Sequence, residues 1–160
     1  MRLDALIFDV DGTLADTEEA HRTAFNLAFE QLGLGWKWTR ADYRRLLTTT
    51  GGKERIARHI AALDVSEADR ADLGTRIPQI HAIKTRLYSA VVRDGAVPLR
   101  TGVARLLDEA AAAGCRLAIA STTTAANVDA LLHATLGTRA LDLFGVIACG
   151  DQVAAKKPAP

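Results

Sequence analysis

Short apolar runs ending in polar residues alternate with amphipathic stretches over much of this chain. Residues 3–8, Leu-Asp-Ala-Leu-Ile-Phe, form an apolar run that stops at Asp9, Asp11 and Gly12. This pattern predicts a buried parallel strand that delivers polar groups at its carboxyl end. Asp16, with Glu19 three residues on, is expected to cap the following helix in a capping box. Ala24, Phe25, Ala28, Phe29 and Leu32 recur at helical spacing, and Gly33 closes that helix. Trp36 and Trp38 fall in a turn-like stretch. A short helix is predicted over 41–48, then another after Gly51-Gly52 with Ile56, Ile60 and Leu63 on one face. From Ser66 an apolar stripe runs through Leu73, Ile77, Ile80, Leu87 and Val91. Pro78 inside it predicts a kink or two abutting helices.

The period changes past residue 95. Residues 102–113 read as a helix closed by Gly114, and 117–120 as a second strand ending at Ser121 and three threonines. Residues 126–136 read as a helix, and 145–149 as a third strand before Gly150-Asp151. Strands alternating with helices predict an α/β fold with a doubly wound parallel sheet and right-handed crossovers. No strand pattern occurs between 17 and about 93. An all-helical domain over 16–95 is therefore expected, inserted into a Rossmann-like core made of 1–15 plus 96–160.

Composition narrows the picture. Hydrophobic residues make up 49% and aromatics 5%, so the core is expected to be aliphatic. Twenty basic residues against nineteen acidic leave a net charge of +1, which argues against a nucleic-acid partner. No apolar run is long enough to span a bilayer, and the N-terminus lacks a signal-peptide pattern. A cytoplasmic chain with no membrane partner is expected, with Cys115 and Cys149 as free thiols.

The candidate chemistry gathers where ligands bind in such sheets, beyond the carboxyl ends of the strands. Asp9 and Asp11 are two apart at a strand end, so they start on the same face. Aspartate is ionised near neutrality and attacks phosphorus without a general base. A second carboxylate close by is expected to have a raised pKa, which favours Asp11 as the acid and then the base. Gly12 lets the backbone turn its amides toward phosphate oxygens. Ser121 and Thr122 end the second strand and offer hydroxyls, while Lys157, rather than Lys156, is the expected source of fixed positive charge. A dianionic phosphate beside carboxylates calls for Mg²⁺, with Asp9 and Asp11 as its ligands.

Together these residues resemble the haloacid dehalogenase superfamily: Asp9-Val10-Asp11-Gly12-Thr13 as first motif, Ser121 as second, Lys157 as third. The helical insertion looks like the cap of the beta-phosphoglucomutase-like branch. A closer resemblance, along essentially the whole chain, is to the CbbY group. It rests on Ile7 to Ala15, on Leu46 to Ala57, and on Lys156-Lys157-Pro158-Ala159-Pro160.

The resemblance implies a Mg²⁺-dependent phosphatase that acts on a sugar bisphosphate, xylulose 1,5-bisphosphate in that group, through an aspartyl-phosphate. A bisphosphate needs a second anchor, for which the cap offers Gly51, Gly52, Lys53 and Arg55. Glu18 and His21 are placed to meet sugar hydroxyls, and Lys84 is similar to a substrate-binding lysine of the branch.

Two other readings stay open: a phosphomutase using the same nucleophile, against which Thr13 weighs, and a non-catalytic fragment. Resembling proteins continue past Pro160 through a fourth strand with an acidic motif and then a fifth, so a C-terminally truncated core is expected. A monomer is expected at full length, with self-association through an exposed sheet edge open to the shorter chain.

Overall fold

The computed structural model describes residues 3–157. The Pro158-Ala159-Pro160 end of the third motif lies outside the described residues, as does the Met1-Arg2 start of the expected core. The first strand, β1, spans Ala5–Phe8. Five helices follow: α1 Glu18–Gln31, α2 Arg40–Leu46, α3 Gly52–Ala61, α4 Glu67–Thr75 and α5 Ile77–Arg93. Then come α6 Val103–Ala112, β2 Arg116–Ala120, α7 Ala125–Leu136, α8 Arg139–Leu143 and β3 Val146–Ala148.

The strands form one parallel sheet in the order β1-β2-β3. Phe8 pairs with Ile119, and Ala120 with Ala148, so the polar residues after each strand emerge at one sheet edge. Leu117 and Ile119 turn to the buried face, where they join Leu107, Val128 and Leu131. The same cluster takes in Ala20 and Ala24 of α1 and Tyr88 and Val92 of α5. A second cluster lies wholly among the inserted helices: Phe25, Phe29, Trp38, Tyr43, Ile56, Ile60 and Ile80. Helices α1 and α5 thus reach from one core to the other, and they carry site residues between the two.

Two local expectations are corrected, and of the two readings of Pro78 the pair of abutting helices holds. Asp16 does not cap α1: the N-cap is Thr17, without a side-chain cap bond, and Asp16 pairs instead with Arg100 at 3.0 Å. Thr17 is diverted because its hydroxyl serves Asp11. Pro78 sits in the first turn of α5, where its missing N–H costs nothing, so α4 and α5 are separate helices. The buried face of α5 is Ile80, His81, Lys84, Tyr88 and Val92, rotated from the purely apolar stripe. Helix α8 was not anticipated, because five residues after Gly137 are too few to show a period.

Candidate active site

The turn after β1 is built by its own backbone. Leu14 N–H donates to Val10 O at 2.9 Å, and Gly12 N–H to Ala15 O at 2.8 Å. Gly12 has a φ of +76°, and a Cβ there would stand 2.9 Å from Glu18 Oε1. The left-handed φ is what calls for glycine, since the Glu18 carboxylate could swing aside. Arg100 clamps the turn from outside, donating to Gly12 O at 2.6 Å. Sequence reasoning missed Arg100, whose position 88 residues downstream carries no local signal.

Lys157 Nζ lies 3.2 Å from Asp9 Oδ1 and donates to Ala120 O at 2.8 Å, joining the segment after β3 to the ends of β1 and β2. Ser121 is buried at the end of β2; its N–H donates to Ala148 O, and its Oγ accepts from Thr123 N–H at 3.3 Å. Gly150 presses on Thr122, where a Cβ would come within 2.2 Å of Thr122 O.

Asp11 faces the inserted helices. Its Oδ1 accepts from Thr17 Oγ1 at 2.6 Å and lies 3.0 Å from His21 Nε2. His21 Nδ1 is 2.7 Å from Lys84 Nζ, and the ring stacks on Tyr88 with centroids 4.1 Å apart. Burial, aided by the Lys84 charge and opposed by Asp11, pulls His21 down to about 4. A neutral imidazole then accepts from Lys84 at Nδ1 and donates from Nε2 to Asp11. Burial also pulls Lys84 down to about 7, even though the Asp11 carboxylate favours its charge. Its ammonium sits over the Tyr88 and Phe25 rings at 4.7 and 5.2 Å.

The expectation of a raised Asp11 pKa is corrected. Burial pushes the carboxyl up, but His21, the Thr17 hydroxyl and Lys84 outweigh it and hold the group near 2. The burial penalty loses to the donors and charges gathered on the carboxylate.

A cavity of about 250 Å³ opens between the inserted helices and the strand ends. Asp11, His21, Gly51, Gly52, Lys53, Arg55, Lys84 and Thr122 line it, so most of the expected substrate contacts are brought together. Glu18 is not among them. It lines a neighbouring depression with Arg22 and Arg40. Arg55 is already engaged, with Nε donating to Thr49 O at 3.0 Å and Nη1 to Tyr43 Oη at 3.1 Å. Several lining residues were missed, among them His81, Glu54, Asn127 and Lys156. His81 was legible: His81 and Lys84, three apart, interrupt an otherwise apolar helical face. Gly52 has no side chain because one would collide with His81 Nε2 at 2.6 Å.

Among the described residues no cluster of three or more His, Cys, Asp or Glu is arranged to hold a metal ion. Asp9 and Asp11 remain as hard oxygen donors. That pair suits a cation such as Mg²⁺, which commonly takes one or two carboxylates and completes its shell with water and phosphate.

A parallel sheet with an acidic turn after its first strand, a lysine on the first aspartate and a helical insertion between β1 and β2 define a class of hydrolase. The haloacid dehalogenase-like hydrolase model matches residues 3–160, and the chain belongs to that family. It is 56% identical over 160 residues to protein CbbY of Rhodobacter capsulatus, covering 100% of this chain and 68% of the relative. The crystal structure of CbbY from Rhodobacter sphaeroides in complex with phosphate superposes with a TM-score of 0.86 at 51% identity, over 99% of this chain and 68% of that one. A mutant of the same CbbY in complex with xylulose-(1,5)-bisphosphate gives 0.86 at 50% identity, over 99% and 68% of the two chains. This chain therefore spans about two thirds of the length of these proteins.

Proposed function

We propose that this chain carries the site of a phosphatase for a small sugar bisphosphate, with the helices of 16–95 serving as a cap over a core of 1–15 and 96–160. The observation that carries the reading is a cleft with two cationic ends. Lys157 sits on Asp9 at one end, Lys53 and Arg55 line the cavity away from it, and Lys84 lies on the aspartate side, held by His21 beside Asp11. A single phosphate needs only the first. Similarity to a CbbY structure holding xylulose-(1,5)-bisphosphate supports a pentulose bisphosphate.

Asp9 Oδ attacks phosphorus, the bond from phosphorus to the sugar oxygen breaks, and Asp11 protonates the departing alkoxide. Asp11 must first gain a proton despite its low resting pKa, and the charge of a dianionic phosphate beside it provides that push. Water then attacks the aspartyl-phosphate, giving its proton to Asp11 and returning Asp9 free. Gly12, Ser121, Thr122 and Lys157 hold the phosphate oxygens through amides, hydroxyls and charge. Mg²⁺ would be held by Asp9 and Asp11, and when bound it supplies charge neutralisation between carboxylates and phosphate. Replacing Asp9→Asn is expected to abolish phosphate release from xylulose 1,5-bisphosphate. Release at the unmodified rate would refute the mechanism.

A further inference from the structure

Lys156 and Lys157 are consecutive but reach opposite ways. Lys157 goes to Asp9, while Lys156 Nζ donates to Glu54 Oε1 at 2.7 Å, on the first turn of α3 and 102 residues away. Glu54 and Lys156 both line the cavity. Gly51, just before α3, leaves the space the pair occupies: a Cβ there would fall 2.1 Å from Glu54 Oε2 and 2.7 Å from Lys156 Nζ. Its φ of +94° independently demands glycine. An unbroken series of contacts thus runs from α3 through Glu54, Lys156 and Lys157 to Asp9.

We propose that Glu54 and Lys156 are positioning residues: their ion pair latches the inserted helices onto the segment after β3 and sets the span between the two anion-binding ends of the cleft. The functional half of this inference rests on the bisphosphate reading above. The latch itself does not. One end of the span is the Gly51-Gly52-Lys53 start of α3, where a helix N-terminus and a lysine suit a phosphate. The other is Asp9 with Lys157. A ligand with two phosphates senses the distance between these ends, whereas inorganic phosphate at one end does not. Glu54 also sits where an incoming anion would meet its charge, and Lys156 neutralises it. The pair is partly exposed, with side chains 45% and 24% accessible, so its effect is modest and weakens with salt.

The test compares wild type, Glu54→Gln, Lys156→Gln and the charge-swapped double variant Glu54→Lys with Lys156→Glu. Amide hydrogen exchange of the ligand-free chain is the first measurement. Each single variant is expected to lose protection at both 51–55 and 150–157, and the swap to regain it. Loss confined to the mutated segment, or no recovery in the swap, overturns the latch. The second measurement is affinity by calorimetry. Glu54→Gln is expected to weaken xylulose 1,5-bisphosphate by about fivefold, the upper end for a partly exposed ion pair, and to leave inorganic phosphate unchanged. If Lys156→Gln weakens the bisphosphate while Glu54→Gln leaves it and both exchange patterns untouched, Lys156 is a direct ligand and the proposal is wrong. The exchange measurement involves no ligand, so a failure of the phosphatase reading in the Asp9→Asn experiment is read separately.

Discussion

At the scale of single residues, partners decide chemistry more than sequence neighbours do. Asp9 and Asp11 look alike on paper, yet Lys157 takes one and Thr17 with His21 takes the other. The histidines in the cleft show how burial becomes a pH response. Burial first, then the charges of Lys84, Lys53 and Lys156, bring His81 down to about 4, with Glu54 opposing. An unfolded His81 takes up its proton near 6.5, whereas the folded one waits until about 4. Between those values the unfolded chain binds more protons, so stability is full above 6.5, falls as the pH drops, and levels off below about 4. His21 behaves in the same sense. Each histidine contributes a slope of at most about 1.4 kcal/mol per pH unit. Urea denaturation across pH 4 to 7 is expected to show this fall, and His81→Phe to remove about half of it. An unchanged slope in that variant would mean His81 does not titrate as its burial requires.

At the scale of elements, strands and helices were legible wherever a period ran long enough. The alternation after residue 95 gave β2, α7 and β3, and Gly33 and Gly114 stopped helices where φ turns positive. The Asp9-to-Thr13 motif was legible because it stands at a strand end, and Lys157 because it opens the Lys-Pro-Ala-Pro run that follows the third strand. What could not be read were contacts made across the fold: Arg100 on Gly12, Lys156 on Glu54, and Thr17 drawn from capping to Asp11. These depend on how elements meet, which no local window records. Gly150 belongs to the same category, since nothing beside it in sequence explains the need for glycine. The ends of β2 and β3 approach so closely there that Gly150 N–H donates to Thr123 O at 2.8 Å. Gly150→Ala forces Thr122 away, and overpacking of this kind costs about 2 kcal/mol. The denaturant midpoint is expected to fall accordingly, and Thr122, which lines the cavity, to shift with it. A variant as stable as the parent would show that the two loops separate freely.

At the scale of the whole molecule, helices cover one face of the sheet and leave the other bare among the described residues. Parallel strands are normally covered on both faces, because their side chains are apolar on both. Here Ile7 is 71% exposed and Val146 62%, and a groove of about 560 Å³ runs past them over Ala5, Ala118 and Leu143. Strand β1, which carries the site, pairs only with β2 among the described residues, so its other edge offers free N–H and C=O groups. Exposed apolar surface beside an open edge favours pairing with another chain. Solutions of the 160-residue chain are therefore expected to self-associate as concentration rises, visible as a growing weight-average mass in sedimentation equilibrium. Ile7→Lys places a charge on the bare face without touching the buried one, so it is expected to lower that mass toward a monomer while the far-ultraviolet spectrum holds. Unmodified and substituted chains that stay equally monomeric at high concentration would show that the bare face and the edge of β1 do not drive assembly.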